Sequence, residues 1–219
     1  MAKKRIGLLG GTFNPVHSGH LRAAAEVVRI FSLSKVLFIP SMIPPHKQSA
    51  AVGSAADRFA MVKLAVRGEP RFVASALEIE SPKTSYSILT LGRVKSLYPG
   101  AWVFFIVGVD AFLEIETWRS YREVLEQCHF VVTSRPGYRL SEARNAVPSS
   151  YSDRIMECRK AESVGVEALR CFRIFLVPIK ALDVSSTEIR RRVRQGISIS
   201  GLVPEAVEAY ILRKKLYQG

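Results

Sequence analysis

Apolar residues fall along this chain in two alternating patterns. Short unbroken runs are each followed by a stretch in which apolar side chains recur every three or four positions. The first pattern predicts strands buried on both faces, and the second predicts helices that bury one face. Residues 5–9 form the first run. Residues 19–31 form the first helical stretch, with Leu21, Ala24, Ala25, Val28 and Phe31 at helical spacing. Residues 35–40 carry Val36-Leu37-Phe38-Ile39 and predict a second buried strand. A loop over 41–53 follows, and Ser54 or Asp57 then caps a helix that reaches about Gly68. Residues 71–80 predict a third strand, stopped by Ser81-Pro82. Residues 86–97 predict a helix, closed by Tyr98-Pro99-Gly100.

The alternation continues. A strongly apolar fourth strand over 102–107 ends at Gly108, with helical stretches over 111–116 and 121–127 behind it. A fifth strand over 130–133 stops at Ser134-Arg135-Pro136-Gly137. Residues 138–171 are the least regular part and read as a surface excursion, with a helix expected over 154–161. A sixth strand follows over 172–178. Ser185-Ser186-Thr187 caps a helix running to about Gln195, and 203–216 form the last helix. Strands alternating with helices predict parallel βαβ units. The expected fold is α/β: a Rossmann-like, doubly wound parallel sheet in one domain over 1–219, with a C-terminal helical part. In such sheets ligands bind beyond the carboxyl ends of the strands, at the point where strand order reverses.

Composition narrows the class. The 219 residues are 48% apolar and 23% charged, which suits a globular core and excludes a disordered chain. No run approaches a membrane span. Lys3-Lys4-Arg5 and the apolar run after it imitate a signal peptide, but the run is too short and glycines interrupt it. The expected location is cytoplasmic. Cys128, Cys158 and Cys171 are widely spaced, with neither a disulfide framework nor a zinc-ligand pattern. A formal charge of +13 points to anionic partners: nucleic acid, a membrane surface or small phosphorylated molecules.

The chemistry concentrates where strands end. Gly10-Gly11-Thr12-Phe13-Asn14-Pro15-Val16-His17-Ser18-Gly19-His20 joins the first strand to the first helix. Glycines let the backbone approach an anion, and the first N–H groups of a helix lack internal partners. His17 and His20 lie about one turn apart, with Gly19 between them at a place where a side chain would obstruct a polyphosphate. A zinc reading of the pair lacks a nearby third ligand, and a simple turn-capping role also stays open. Neither the Walker loop nor the dinucleotide fingerprint is present.

This string resembles the signature of the nucleotidyltransferase superfamily, whose core is often written T/H-x-G-H. In its full length it resembles the bacterial nicotinate mononucleotide adenylyltransferases. The resemblance runs from Ile6 to Tyr217, including the ending Leu202-Val203-Pro204 with Val207, Tyr210 and Ile211.

The resemblance gives the later motifs roles that their residues alone leave open. Lys47, in Pro44-Pro45-His46-Lys47, reads alone as a solvated lysine; the family likeness implies a cation for the mononucleotide phosphate. Thr84-Ser85-Tyr86-Ser87 with Thr90-Leu91 reads alone as a helix cap; the likeness implies backbone amides, at Ser85 and Tyr86, that receive a pyridine carboxylate. Leu89 stands where members commonly carry aspartate, and so does Asn14. Asp110, after Gly108, caps a helix or binds ribose at equal odds; the likeness puts Gly108 and Asp110 on the ATP side. Trp118 precedes Arg119 in a segment expected to reach the surface, and the likeness implies stacking on the pyridine ring. Arg135 ends the fifth strand in a turn that the likeness places beside adenine. Ser185, Ser186, Thr187, Glu188 and Arg190 read as a capping box or a phosphate grip, and the likeness favours the β- and γ-phosphates. Arg191, Arg192 and Arg194 read as a solvated helix face rather than a nucleic-acid surface.

The resemblance therefore implies a reaction in NAD biosynthesis: ATP and nicotinate mononucleotide give deamido-NAD and pyrophosphate. His17, His20 and Arg190 would be catalytic, with Gly10, Gly11, Thr12, Phe13 and Gly19 in the ATP cradle. Mg²⁺ would be held mainly through ATP phosphates, since no acidic cluster is visible. No specific nucleic acid or membrane is expected as a partner, and a homo-oligomer stays open. Two rivals remain. A sister transferase acting on phosphopantetheine or on a CTP-dependent alcohol phosphate would not use the motif at 84–91 or Trp118. A basic RNA-binding module would explain the charge, but no stacking platform or Lys-Met-Ser-Lys-like loop is visible.

Overall fold

The computed structural model describes residues 3–43, 52–81, 84–158 and 164–218. The chain runs β1 (Arg5–Gly11), α1 (Ser18–Phe31), β2 (Lys35–Pro40), α2 (Ala55–Ala65), β3 (Phe72–Ala74), α3 (Ser87–Leu97), β4 (Trp102–Gly108), α4 (Val109–Phe112), α5 (Tyr121–Leu125), β5 (His129–Thr133), β6 (Ile155–Glu157), β7 (Ile174–Val177), α6 (Ser186–Arg194) and α7 (Glu205–Arg213). The strands form one seven-stranded sheet in the order β3-β2-β1-β4-β5-β7-β6. Every pairing is parallel. The expected doubly wound α/β architecture is therefore present.

Successive strand residues point to opposite faces, so each buried run feeds two cores. Phe104 and Ile106 of β4 join Val36, Phe38 and Val131 under α1, α2, α6 and α7. Val103, Phe105 and Val107 join Leu37, Phe130 and Val132 under α3, α4 and α5. This double burial explains why the strands read as continuous apolar runs.

Strand order reverses between β1 and β4, and the ladder shows where they part. Their register ends at Leu9 opposite Ile106. β1 stays paired to β2 through Gly11 and Pro40, and β4 to β5 through Gly108 and Thr133. The last residues of β1 and β4 thus flank a crevice.

Three expectations change. Of the helix expected over 154–161, residues 159–161 lie outside the described residues, and the described part is not helical: Ile155 packs into the second core and Ile155–Glu157 pairs with β7 as an edge strand. Its helix-favouring composition yields to a tertiary pairing. The third strand covers only Phe72–Ala74. After Ser75 donates to Phe38, the chain turns back, with Glu80 N–H bonded to the Ala76 carbonyl. The helix expected over 111–116 is split into α4 and a short 3₁₀ turn, Ile115–Thr117.

Candidate active site

The turn after β1 is fastened from four directions. The guanidinium of Arg58, 1% exposed, donates to the carbonyls of Thr12 at 2.8 Å, Gly53 at 3.0 Å and Met42 at 3.3 Å. Arg190 Nη1 donates to the Asn14 carbonyl at 2.8 Å, and Ser186 Oγ to the Pro15 carbonyl at 2.9 Å. Asn14 Oδ1 accepts from Gly53 N–H at 3.0 Å and from the Tyr217 hydroxyl at 2.8 Å. Burial pushes the Tyr217 phenol up, so it stays a donor. Buried backbone carbonyls need such partners, and here side chains from remote elements supply them. Phe13 takes a left-handed φ of 47° in this turn. Gly10 opens onto free space: a Cβ there would meet nothing within 4 Å.

His17 is the N-cap of α1, and its N–H donates to Nδ1 of His20 at 3.2 Å. That bond leaves the His20 ring proton on Nε2. The two rings lie 3.7 Å apart between centroids, and Phe13 packs edge-on to His20 at 5.1 Å. His17 is 2% exposed. Burial, helped by the positive charge of Arg135, lowers its pKa to about 3, so its ring is neutral. Gly19 serves a closer purpose than clearance for a ligand. A Cβ there would sit 3.0 Å from Val184 and 3.1 Å from the His17 ring. The glycine makes room for the imidazole itself.

Two hollows meet at the crevice. The larger, about 890 Å³, is lined by Gly10, Gly11 and Thr12, by Ser41 after β2, by Glu78, by Ser85–Ser87 and Thr90, and by Asp110 to Arg119. A narrower cleft on the other side is lined by Gly19, His20, Gly108, Arg135 and Leu182. Asp110 and Arg135 form an ion pair at 3.5 Å between them, too long for a hydrogen bond. Gly108 is required there, because a Cβ would collide with the Asp110 carboxylate and lie 2.7 Å from Arg135 Nε.

In the larger hollow, Ser85 Oγ accepts from Met42 N–H at 2.9 Å. Thr90 Oγ1 donates to Glu78 Oε1 at 2.5 Å, and burial pushes the Glu78 carboxyl up. Tyr86 is the N-cap of α3, and the Arg119 guanidinium lies 4.8 Å from its ring centre. Trp118 does not stand on the surface as expected. It is half-buried, packed edge-on to Phe105 at 5.5 Å and tilted against Phe130, with its remaining surface on the hollow.

The start of α6 is arranged differently. Ser185 Oγ accepts from Glu188 N–H at 3.1 Å as a helix cap. Thr187 Oγ1 accepts from Arg190 Nη2 at 3.4 Å. Glu188 pairs with Arg191 and Arg192, which form the expected solvated face. Neither hollow is lined by Ser185, Ser186, Thr187 or Arg190. Lys47 lies outside the described residues.

Four buried side-chain atoms at this end of the sheet have no hydrogen-bond partner: His17 Nδ1, Ser41 Oγ, Asp110 Oδ1 and Arg190 Nε. Buried polar atoms are normally paired, so a cluster of orphans marks where a polar ligand belongs. Among the described residues no group of three or more histidine, cysteine or carboxylate side chains is arranged to hold a metal ion.

Arg58, Glu78, Ser41 and Arg119 were not singled out from sequence as site residues. Arg58 and Ser41 carry no local signal. Glu78 had one, a carboxylate inside an apolar run, and Arg119 another, a cation beside the expected stacking indole.

Comparison with known proteins agrees with the geometry. Residues 8–192 match the cytidylyltransferase-like family. A probable nicotinate-nucleotide adenylyltransferase of Desulfatibacillum aliphaticivorans is 43% identical over 220 residues, covering 97% of this chain and 99% of that protein. Another, from Pelobacter propionicus, is 41% identical over 216 residues, covering 97% and 98%. Among solved structures, a Plasmodium falciparum nicotinic acid mononucleotide adenylyltransferase complexed with NaAD superposes with a TM-score of 0.70 at 15% identity, covering 98% of this chain and 97% of that one. A Vibrio parahaemolyticus protein of the same kind gives 0.65 at 19%, covering 98% and 96%. At those identities the likeness to the solved structures speaks for the fold.

Proposed function

The chain belongs to the cytidylyltransferase-like family and, within it, to the nicotinate-nucleotide adenylyltransferases, and from that premise we infer how its residues divide the work. The reaction transfers the adenylyl group of ATP to nicotinate mononucleotide, giving deamido-NAD and pyrophosphate in NAD biosynthesis. The observation that carries the assignment of residues is the pair of hollows that meet where β1 and β4 part, with Ser41 Oγ and Asp110 Oδ1 lacking a hydrogen bond on the wall of the larger.

The nucleophile is a phosphate oxygen of the mononucleotide. Its second pKa is about 6 by analogy with phosphorylated side chains, so it is ionised at neutral pH and needs no general base. Catalysis then consists of in-line positioning and stabilisation of charge on the α-phosphate. His20 offers its Nε2–H, and the neutral His17 ring offers an unpaired Nδ1 position beside it. Gly10 and Gly11 let the triphosphate approach the strand end. Asp110 Oδ1 accepts from a ribose hydroxyl, and Arg135 lies beside the base. Arg190 keeps an unpaired Nε and a positive charge for the leaving pyrophosphate, although in this structure it lines neither hollow. Ser185, Ser186 and Thr187 act chiefly by holding that arginine and the turn in place. Trp118 supplies the stacking wall for the pyridine ring, and the first amides of α3 supply donors for its carboxylate, those of Ser85 and Tyr86 being bonded here to the Ile43 and Thr84 carbonyls.

Mg²⁺ would enter with ATP, held mainly by phosphate oxygens and water, and would neutralise phosphate charge. No helix among the described residues is long and apolar enough to cross a membrane, and Cys128 is a buried free thiol and Cys171 an exposed one. A cytoplasmic enzyme fits both.

The test is pyrophosphate release with ATP and Mg²⁺, comparing nicotinate mononucleotide, nicotinamide mononucleotide and phosphopantetheine. Release with the nicotinate substrate is expected to be fastest. Release with phosphopantetheine alone would move the chain to a sister reaction.

A further inference from the structure

We propose that the Arg119 side chain reads the ring carboxylate of the mononucleotide and so sets the preference for the acid over the amide substrate; this rests on the functional reading above. Among the described residues, the charged side chains lining the larger hollow are Glu78, Asp110, Glu114 and Arg119. Three are carboxylates. Asp110 is paired with Arg135, and burial disfavours the charged form of Glu78. A substrate carboxylate that enters this wall still needs a cation to receive it, and Arg119 is the one cation in that set.

Its placement suits the task. Trp118, its neighbour, is fixed against Phe105 and Phe130, so the backbone at 119 starts from an anchored point. The guanidinium lies over the Tyr86 ring at 4.8 Å, and among the described residues no ion pair or hydrogen bond holds it. Stacking occupies the flat face of the group and leaves its edge N–H donors available. Tyr86 is also the N-cap of α3, whose first N–H groups lack helical partners. The cation is therefore parked beside the helix start already assigned to the same carboxylate. A carboxylate offers two acceptors to the guanidinium fork. A carboxamide turns an NH₂ toward one of those donors and loses that bond.

The experiment measures kcat/KM for nicotinate and nicotinamide mononucleotides with the wild type, Arg119→Ala and Arg119→Lys. Losing one charge-assisted hydrogen-bonding partner should lower the nicotinate value by about tenfold or more. The nicotinamide value should fall much less, so the ratio collapses in Arg119→Ala. Arg119→Lys, which keeps the charge but not the fork, should fall between. Arg119 is exposed, so thermal melting should stay near that of the wild type. Equal losses on both substrates, or no loss on either, would overturn the assignment while the wild type's turnover upheld the reaction. A wild type that turns over neither pyridine substrate would instead overturn the reaction itself, and the assignment with it.

Discussion

The starts of α1 and α6 both present polar side chains to the same turn, and they use them in opposite ways. At α1 the cap is a histidine with no hydroxyl, and its first turn holds no acidic residue. The positive end of that helix dipole is left without an internal counter-charge. His17 spends its backbone N–H on His20 and keeps Nδ1 unpaired. At α6 the cap is Ser185, and Glu188 sits in the first turn. Ser186 is spent on the Pro15 carbonyl, and Arg190 on the Asn14 carbonyl. The α1 start keeps a ring nitrogen unpaired, although the Ser18 N–H is already bonded to the Leu202 carbonyl and the His20 N–H to that of His17, while the α6 start spends its side chains on clamping the turn. A hydroxyl-rich helix start and a histidine-bearing one look alike as phosphate sites in sequence. What separates them is what their polar side chains are already bonded to.

The largest effect should come from the α1 start. His20→Ala removes the oriented Nε2–H and should cut kcat by about 10²-fold or more. Steady-state kinetics with saturating ATP and nicotinate mononucleotide measure it. The side chain is half-buried at the edge of the cleft, so folding should survive. A near-normal kcat would remove His20 from the chemistry and erase the contrast between the two helices.

A second difference is that only the α1 cap titrates. His17 has its pKa lowered to about 3 in the folded chain, against an ordinary value of 6.5. Between those values the unfolded chain takes up a proton that the folded ring refuses. Stability is therefore fully present above about pH 6.5 and is lost as pH falls toward 3. His129, buried under Phe104 with its pKa lowered to about 4 by burial and by Arg173 and Arg5, acts in the same direction. Denaturant unfolding at pH 7 and pH 5.5 should show the loss, at most about 1.4 kcal/mol per pH unit for each histidine. His17→Gln should flatten the slope by the share of one proton. An unchanged slope would mean that His17 is not held neutral by burial.

How much of this was legible in sequence depended on whether a feature is local. Buried on both faces, β1, β2, β4, β5 and β7 announce themselves as apolar runs. The edge strands are less legible: Phe72–Ala74 is expected with bounds that are too long, and Ile155–Glu157 is missed. Ile155-Met156-Glu157 pairs on one side only, and its fate was decided by β7, far along the chain. The glycine–histidine turn was legible because backbone approach and ring donors need those residue types at close spacing. Arg58 was not, because its role is to satisfy three carbonyls of Thr12, Met42 and Gly53, which only the fold brings together. The Ser-Ser-Thr cap was visible as both a cap and a grip. Choosing between them required knowing that Pro15 lies across from Ser186, 171 residues away in sequence.

That choice also supplies the smallest test of the contrast. If Ser186 clamps the turn, Ser186→Ala removes one hydrogen bond and leaves the Pro15 carbonyl without that donor. The cost should be about 1 kcal/mol of folding stability, read as a lower denaturation midpoint with an unchanged slope. Turnover should stay within about threefold of the wild type, because the lost contact is to the backbone and not to the substrate. If Ser186 instead grips the leaving pyrophosphate, the pattern inverts: kcat falls steeply and the midpoint stays put. The two outcomes are distinguishable because each predicts little change where the other predicts the main effect. A result of the second kind would make α6 a binding terminus like α1, and the turn would then depend on Arg58, Arg190 and Tyr217 for its shape.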